Sequence, residues 1–457
     1  MARSALIENA TLLAEARVGG RRRRDDSFPP IAPGPGRSCG AGPLSVPRLA
    51  CGAGSATIGG ASISDFVPVP RYPATISSRL PQVGTTIFTV MSRLANECGA
   101  INLSQGFPDF SAADALFELV ARHMRAGHNQ YAPMAGAAPL REAIAAKVEE
   151  LYGARYDPEA EITVTAGATQ AIFTAVAAMV HPGDEVIVFE PVYDSYVPSI
   201  ELNGGTARYA RLRFPDYRPD WSEVRALVSP RTRMIIVNTP HNPSGTVWSA
   251  ADMEELERIT RDTGIVVVAD EVYEHIVFDR NTRQCRHESA ARYPALAERT
   301  FIVSSFGKTY HVTGWKIGYV LAPRELTTEF RKAHQYIVFA VNHPVQLALA
   351  EFVAQRERYL GLADFYQAKR DFFRAQLEGS RFRLLACAGT YFQLAGFEAI
   401  ADEPDVAFAE RLTREVGVAA IPVSVFYREP VDHKVIRFCF AKSENTLAAA
   451  GERLRRV

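Results

Sequence analysis

The sequence lacks an excess of either charge. Lys plus Arg and Asp plus Glu stand at 51 each, for a formal net charge of zero. That removes the electrostatic argument for nucleic acid or an anionic membrane as the main partner. It also lacks a long apolar run. Stretches such as 175–180 and 265–269 fall far short of the roughly 18 residues that suggest a membrane span. Cysteine is sparse, with Cys39, Cys51, Cys98, Cys285, Cys387 and Cys439 scattered along the chain. They form no Cys-x-x-Cys pair and no Cys/His cluster, so no metal site is expected, and free thiols in a reducing cytoplasm are. No internal repeat is evident.

What is present falls into two parts. Residues 1–76 hold 10 Gly and 9 Pro, with nine Arg against five acids. That composition reads as a flexible Gly/Pro/Arg-rich extension unable to bury a core. Its Glu8, Glu15, Asp25 and Asp26 argue against an organelle transit peptide. From residue 77 onward, apolar strand-like runs alternate with amphipathic stretches. The runs at 162–165, 185–189, 233–238, 263–269 and 300–304 are continuous rather than alternating, as strands covered on both faces require. Helices are expected at 169–180, 250–262 and 293–299, with Ser249 capping the second and Gly264 closing it. The pattern predicts an α/β fold with a largely parallel sheet.

Ligands of such sheets bind beyond the carboxyl ends of the strands. That rule selects residues without any motif. The strand ends deliver Tyr193, Asn242, Asp270 with Tyr273, and Lys308 to one rim.

Lys308 sits in Ser-Ser-Phe-Gly-Lys-Thr (304–309), which invites three chemistries. A phosphate-binding loop needs a glycine at 302, where the chain has Ile302. An acyl enzyme of the Ser-x-x-Lys type needs Ser-Asp-Asn and Lys-Thr-Gly companions, and neither tripeptide occurs. A Schiff-base lysine fares better, because a buried amine loses its charge and becomes a nucleophile. Pyridoxal phosphate would supply the aldehyde. Asp270 suits its ring nitrogen, and Asn242 and Tyr273 its phenolic oxygen. Tyr193 suits its ring face. The 165–174 segment, opening a helix, suits its phosphate together with Ser305 and Lys316.

The order of several motifs carries a resemblance. They are Ser-Gln-Gly-Phe-Pro-Asp-Phe (104–110), Asn-Gln-Tyr (129–131), Gly-Ala-Thr-Gln (167–170), Glu-Pro-Val-Tyr-Asp-Ser-Tyr (190–196), Asn-Thr-Pro-His-Asn-Pro-Ser-Gly (238–245), Asp-Glu-Val-Tyr-Glu (270–274), the lysine segment, and Ile-Arg-Phe-Cys-Phe (436–440). Together they resemble the class I/II pyridoxal-phosphate aminotransferases of the aspartate-aminotransferase fold (fold type I), over about 77–457. The lead-in Leu-Pro-Gln-Val-Gly-Thr-Thr-Ile-Phe (80–88) resembles the methionine and kynurenine aminotransferase branch.

The resemblance implies a large cofactor domain at 116–344. It implies a smaller α/β domain built from 77–115 and 345–457. It implies that Lys308 forms the internal aldimine and then moves a proton as acid and base, in a ping-pong exchange between an amino acid and a 2-oxo acid. Arg437 would grip the substrate carboxylate, with Gly106 approaching it. Gly167, Ala168 and Thr169 would cradle the phosphate. Tyr131 would reach the phosphate of a neighbouring subunit, which implies a homodimer. Phe88, Phe107 and Tyr193 suggest an apolar pocket suited to methionine, phenylalanine, tyrosine, leucine or kynurenine. Two other activities are weighed. One is β-elimination on cysteine conjugates or cystathionine. The other is an aminotransferase-like transcription regulator, disfavoured because its N-terminal domain would need three packed helices.

Overall fold

The computed structural model describes residues 71–279, 286–429 and 431–457. The expectation for the extension falls, up to residue 70, outside the described residues. Ile76–Val457 form one compact unit. Among the described residues no helix is long and apolar enough to cross a membrane.

The strands run in chain order β1 (Ile101–Asn102), β2 (Ile162–Thr165), β3 (Glu185–Glu190), β4 (Thr206–Arg213), β5 (Arg218–Pro219), β6 (Thr232–Asn238), β7 (Val266–Asp270), β8 (Thr300–Ser305) and β9 (Gly318–Leu321). They continue with β10 (Arg383–Leu384), β11 (Phe392–Gly396), β12 (Val418–Ala419), β13 (Ile421–Pro422) and β14 (Val435–Cys439). An eight-stranded sheet has the order β2-β9-β8-β7-β6-β3-β4-β5, and a four-stranded sheet the order β10-β11-β14-β13. β1 pairs with β12 in a short parallel ladder.

The centre of the large sheet is parallel, through the β4–β3, β3–β6, β6–β7 and β7–β8 pairs. β9 runs antiparallel between β2 and β8. The apolar runs divide their side chains between two cores, as the two-residue period of a strand dictates. Ile187, Ile235 and Val267 enter one core. Val186, Met234 and Val268 enter the core on the opposite face. A third core, with Phe373, Phe397 and Phe438, packs around the four-stranded sheet.

The expected strands match to within one residue, except that β7 begins at Val266 rather than 263. Ser249 caps the Ala250–Thr260 helix through a full capping box with Asp252. That helix ends earlier than expected. Arg261 caps it and Asp262, not Gly264, takes the left-handed conformation at φ 58°. A short acidic side chain tolerates that region because it can bond its own backbone. The expected helix at 293–299 is instead a 3-10 turn (Ala290–Arg292) followed by one helical turn, Pro294–Ala297. Proline at the first helical position opens a new helix and cannot continue the old one.

Below the carboxyl end of β7, a buried ionic cluster ties four elements together. Lys147 Nζ donates to Glu274 Oε1 at 2.7 Å and to the Tyr319 hydroxyl at 2.8 Å. Ser304 Oγ donates to Glu274 Oε1 at 2.6 Å, and Tyr152 donates to Oε2. Burial pushes the Glu274 carboxyl up, but Lys147 and the hydrogen bonds outweigh it and hold the group well below the usual range. Lys147→Met strands that charge, and denaturant unfolding is expected to show a loss of about 3–5 kcal/mol. The double variant Lys147→Met/Glu274→Gln should recover much of it. A single variant as stable as the wild type would contradict the role of this pair.

Candidate active site

β3 continues sideways into β4, whereas β6 and β7 lie on its other side, so the strand order reverses between β3 and β6. Such a reversal opens a crevice at the carboxyl ends of the strands. A cavity of about 320 Å³ lies there. Its lining includes Phe88, Gly106, Phe107, Gly167, Ala168, Thr169, Tyr193, Asn242, Asp270, Tyr273, Ser305, Lys308, Lys316 and Arg437. Of the residues selected from sequence, Tyr131 alone stays outside that lining. It is 80% exposed and packs edge-on against Phe339.

Asp270 and Asn238 are register partners at the ends of β7 and β6. Asn238 Nδ2 donates to the Asp270 carbonyl at 2.9 Å, and Asn238 Oδ1 accepts from the Asn242 amide at 2.8 Å. One side chain therefore sets the loop that carries Asn242 against the strand that carries Asp270. The Asp270 carboxylate accepts from the Tyr196 hydroxyl at 2.6 Å and from the Val272 amide at 3.3 Å. Burial outweighs both bonds and raises Asp270 from 3.8 to about 6. A buried carboxylate so disfavoured as an anion calls for a cationic partner.

Arg437, on β14 of the smaller sheet, is fully buried. Its Nη1 donates to Asn242 Oδ1 at 2.7 Å and its Nη2 to the Ser104 carbonyl at 3.0 Å. Its guanidinium lies 3.9 Å from the Phe392 ring centre and 5.2 Å from that of Phe88. Its Nε has no partner. Two of five N–H groups are used, so the planar fork keeps donors for a carboxylate. Asn242 accepts through its oxygen, which leaves its NH₂ as the group to donate into the cavity.

Lys308 lies on the short Phe306–Thr309 helix that follows β8. Its Nζ donates to the Gly106 carbonyl at 3.1 Å and to the Tyr391 hydroxyl at 2.9 Å. Burial lowers it to about 8, with Arg437 adding to the effect. A fraction of this amine is therefore neutral near pH 7, as a nucleophile or base requires.

The Gly167–Met179 helix opens with no side-chain cap, so its first amides lack intrahelical partners. Gly167 takes φ 79°, and a Cβ there would meet the Lys316 side chain at 3.3 Å. Glycine adopts that left-handed backbone without strain, and the free amides with the Lys316 ammonium form a set that could hold an anion. At Gly106 a Cβ would press on the Phe392 ring at 3.0 Å. Amine, desolvated carboxylate and anion cradle line one cavity, and this donor set fits a phosphorylated aldehyde with a basic ring nitrogen.

Sequence reasoning missed Asn238, Tyr196, Phe392 and Tyr391. The first two lie inside stretches already singled out, at 238–245 and 190–196. Phe392 and Tyr391 come from a β-strand entrance with no local signal.

The model of the family Aminotransferase class I and II matches residues 99–454. Methionine aminotransferase of Escherichia coli (strain K12) is 54% identical, over 84% of this chain and 99% of its own. A crystal structure of an Escherichia coli protein with a methionine aminotransferase function superposes with a TM-score of 0.82, covering 84% of this chain and 100% of that one. A probable N-succinyldiaminopimelate aminotransferase of Mycobacterium tuberculosis is 40% identical, over 82% of this chain and 97% of its own. Kynurenine–oxoglutarate transaminase 1 of Rattus norvegicus is 31% identical, over 83% and 97%. The fold expected from the motif resemblance is the fold these relatives share, and on this likeness along nearly the whole compact unit the chain belongs to the class I and II aminotransferases and is an amino-group-transferring enzyme.

Proposed function

We propose that the enzyme moves an amino group from methionine or another apolar or aromatic amino acid (phenylalanine, tyrosine, leucine, kynurenine) to a 2-oxo acid, in two alternating half-reactions. The observation that carries this reading is the joint placement of Lys308, Asp270 and Arg437 around one crevice.

Pyridoxal 5′-phosphate, when bound, supplies an aldehyde that takes up the amino group and a ring that withdraws electrons from the reacting carbon. Gly167, Ala168, Thr169, Ser305 and Lys316 would hold its phosphate, and Tyr193 would cover its ring. Asp270 would pair with its ring nitrogen, and Asn242 and Tyr273 would donate to its phenolic oxygen. Burial holds Tyr273 far above its ordinary value, so it stays a proton donor.

The protein's own steps follow from the side chains. Arg437 binds the α-carboxylate through its remaining N–H groups and so orients the α-carbon. Lys308, once free, would take the proton from that carbon and return it to the carbon on the far side of the amino nitrogen, two bonds away. The amino-acid side chain then meets Phe88, Phe107 and Phe392. The cations lining the cavity are Lys308, Lys316 and Arg437, and each already has a task. A distal carboxylate would thus be desolvated without a partner, which disfavours aspartate. The names of the relatives, for methionine and kynurenine, support the same side-chain class.

Further proposals concern the assembly. Tyr131, exposed here, would reach the cofactor phosphate of a second copy, making a homodimer with shared sites. The eight-stranded sheet would form the large cofactor domain (116–344), and the four-stranded sheet with 77–115 the smaller one. The enzyme would work in the cytoplasm.

Three outcomes are expected. Lys308→Ala should abolish transamination, and near-normal turnover would refute the assignment. Arg437→Lys should lower kcat/KM for the donor by about 10- to 100-fold, the loss of one or two charge-assisted bonds, while steady-state kinetics show methionine far ahead of aspartate in the wild type. The third concerns Asp270, which burial raises from 3.8 to about 6. In the cofactor-free protein its ionisation therefore lowers stability progressively between those values and fully above about 6. Asp270→Asn should raise the melting temperature of that form by a few degrees at pH 7.5 but not near pH 3.8, while turnover with cofactor falls about 10²- to 10³-fold. Equal melting at both pH values would contradict the account of Asp270.

A further inference from the structure

Tyr391 stands at the entrance of β11 with its side chain fully buried. Its hydroxyl donates to the Gly106 carbonyl at 2.5 Å. The Lys308 amine lies 2.9 Å from the same hydroxyl and 3.1 Å from the same carbonyl. A phenol has one proton to give. Because Gly106 takes it, the phenol oxygen accepts from Lys308.

The ring cannot easily turn away. It meets Tyr273 edge-on at 5.2 Å and Phe392 edge-on at 4.9 Å, and lies 5.6 Å from Tyr366. The preceding Thr390 is held at φ 64°, and a Cβ at Gly389 would strike Val247 at 2.7 Å and Pro240 at 2.8 Å. Burial first, and Tyr273 next, push the phenol far above its ordinary value, so it keeps its proton.

We propose that Tyr391 is a positioning residue for the reaction: with the Gly106 carbonyl it takes two N–H bonds of the free Lys308 amine and leaves the third tetrahedral position for the reacting carbon. This rests on the reading of Lys308 as acid and base given above. In the forward transfer the Lys308 lone pair becomes an N–H bond and the C–H electron pair stays with the substrate. In the return that N–H bond breaks, its electron pair goes back to nitrogen, and the proton forms a new C–H bond. Tyr391 keeps its own proton throughout. It fixes which corner of the nitrogen does the work.

The other titratable groups facing Lys308 are Asp270 on β7, Tyr273 just after it with its ring 5.7 Å from the amine, Arg437 and Cys439 on β14, and Lys316 ahead of β9. Tyr391→Phe leaves all of them in place and removes one acceptor. Two readouts are measured on the full-length enzyme. In single-turnover with the preferred donor, the rate should fall about 10- to 100-fold, and the isotope effect of α-deuterated donor should rise as proton transfer becomes the slow step. In enzyme loaded with pyridoxamine 5′-phosphate, which cannot bond the lysine, carbamoylation of Lys308 by cyanate is followed by peptide mass spectrometry against pH. Loss of an acceptor disfavours the ammonium form, so the midpoint should move down by about half to one pH unit. A 3-fluorotyrosine at 391, a weaker acceptor in an unchanged fold, should move both readouts the same way by less. Either readout unchanged in Tyr391→Phe overturns the inference. Turnover by Lys308→Ala would instead overturn the reading of the site itself.

Discussion

The central strands of the large sheet are covered on both faces, and the placement of most of the site follows from that constraint. β3 and β7 are buried at every residue. Such strands cannot hold a charged or hydrogen-bonding group along their length, because it would find neither water nor a partner. Polar groups are therefore confined to their ends: Glu185 pairs with Arg231 at the amino end of β3, and the groups of the cavity gather at the carboxyl ends. The backbone register then decides which polar groups meet. Because Asn238 pairs with Asp270, one amide side chain can bond the Asp270 carbonyl and steady the Asn242 loop together.

The cavity is held in an electrostatically expensive state. A buried arginine, a buried carboxylate and a partly buried amine face the same space, and none forms an ion pair with another. Each is kept by neutral or carbonyl partners: Asn242 and Ser104 for Arg437, Tyr196 for Asp270, Tyr391 and Gly106 for Lys308. Those partners orient the charges without cancelling them, so each charge stays available to a ligand. The contrast lies close by. Glu274, four residues from Asp270, is neutralised by Lys147 and saturated with hydrogen bonds, and it ties β8, β9 and the Ala138–Tyr152 helix to the β7 loop. The same short segment thus carries one carboxylate poised for chemistry and one used as a rivet.

Much of this was legible in the sequence because parallel strands covered on both faces write themselves as unbroken apolar runs. Tyr193, Asn242, Asp270, Tyr273 and Lys308 could be found by looking just past such runs. Arg437 needed the resemblance, since its strand is short and belongs to a separate sheet. Tyr391 was invisible. It lies 83 residues from Lys308, after a left-handed threonine, and no periodicity marks a phenol that crosses between sheets. Tyr196 sat inside a recognised stretch, but its bond to Asp270 depends on how the Tyr196–Leu202 helix packs across the sheet. The amphipathic pattern at 293–299 reads as one helix, but Pro294 starts a new turn after the Ala290–Arg292 turn and breaks it.

The central claim is that Lys308, and not the nearby Lys316, is the amine that bonds the cofactor. Borohydride reduction of the enzyme loaded with pyridoxal 5′-phosphate, followed by proteolysis and mass spectrometry, tests it directly. The account predicts one phosphopyridoxyl group per chain, on the peptide carrying Lys308. A label on Lys316, or no stable label at all, would contradict it.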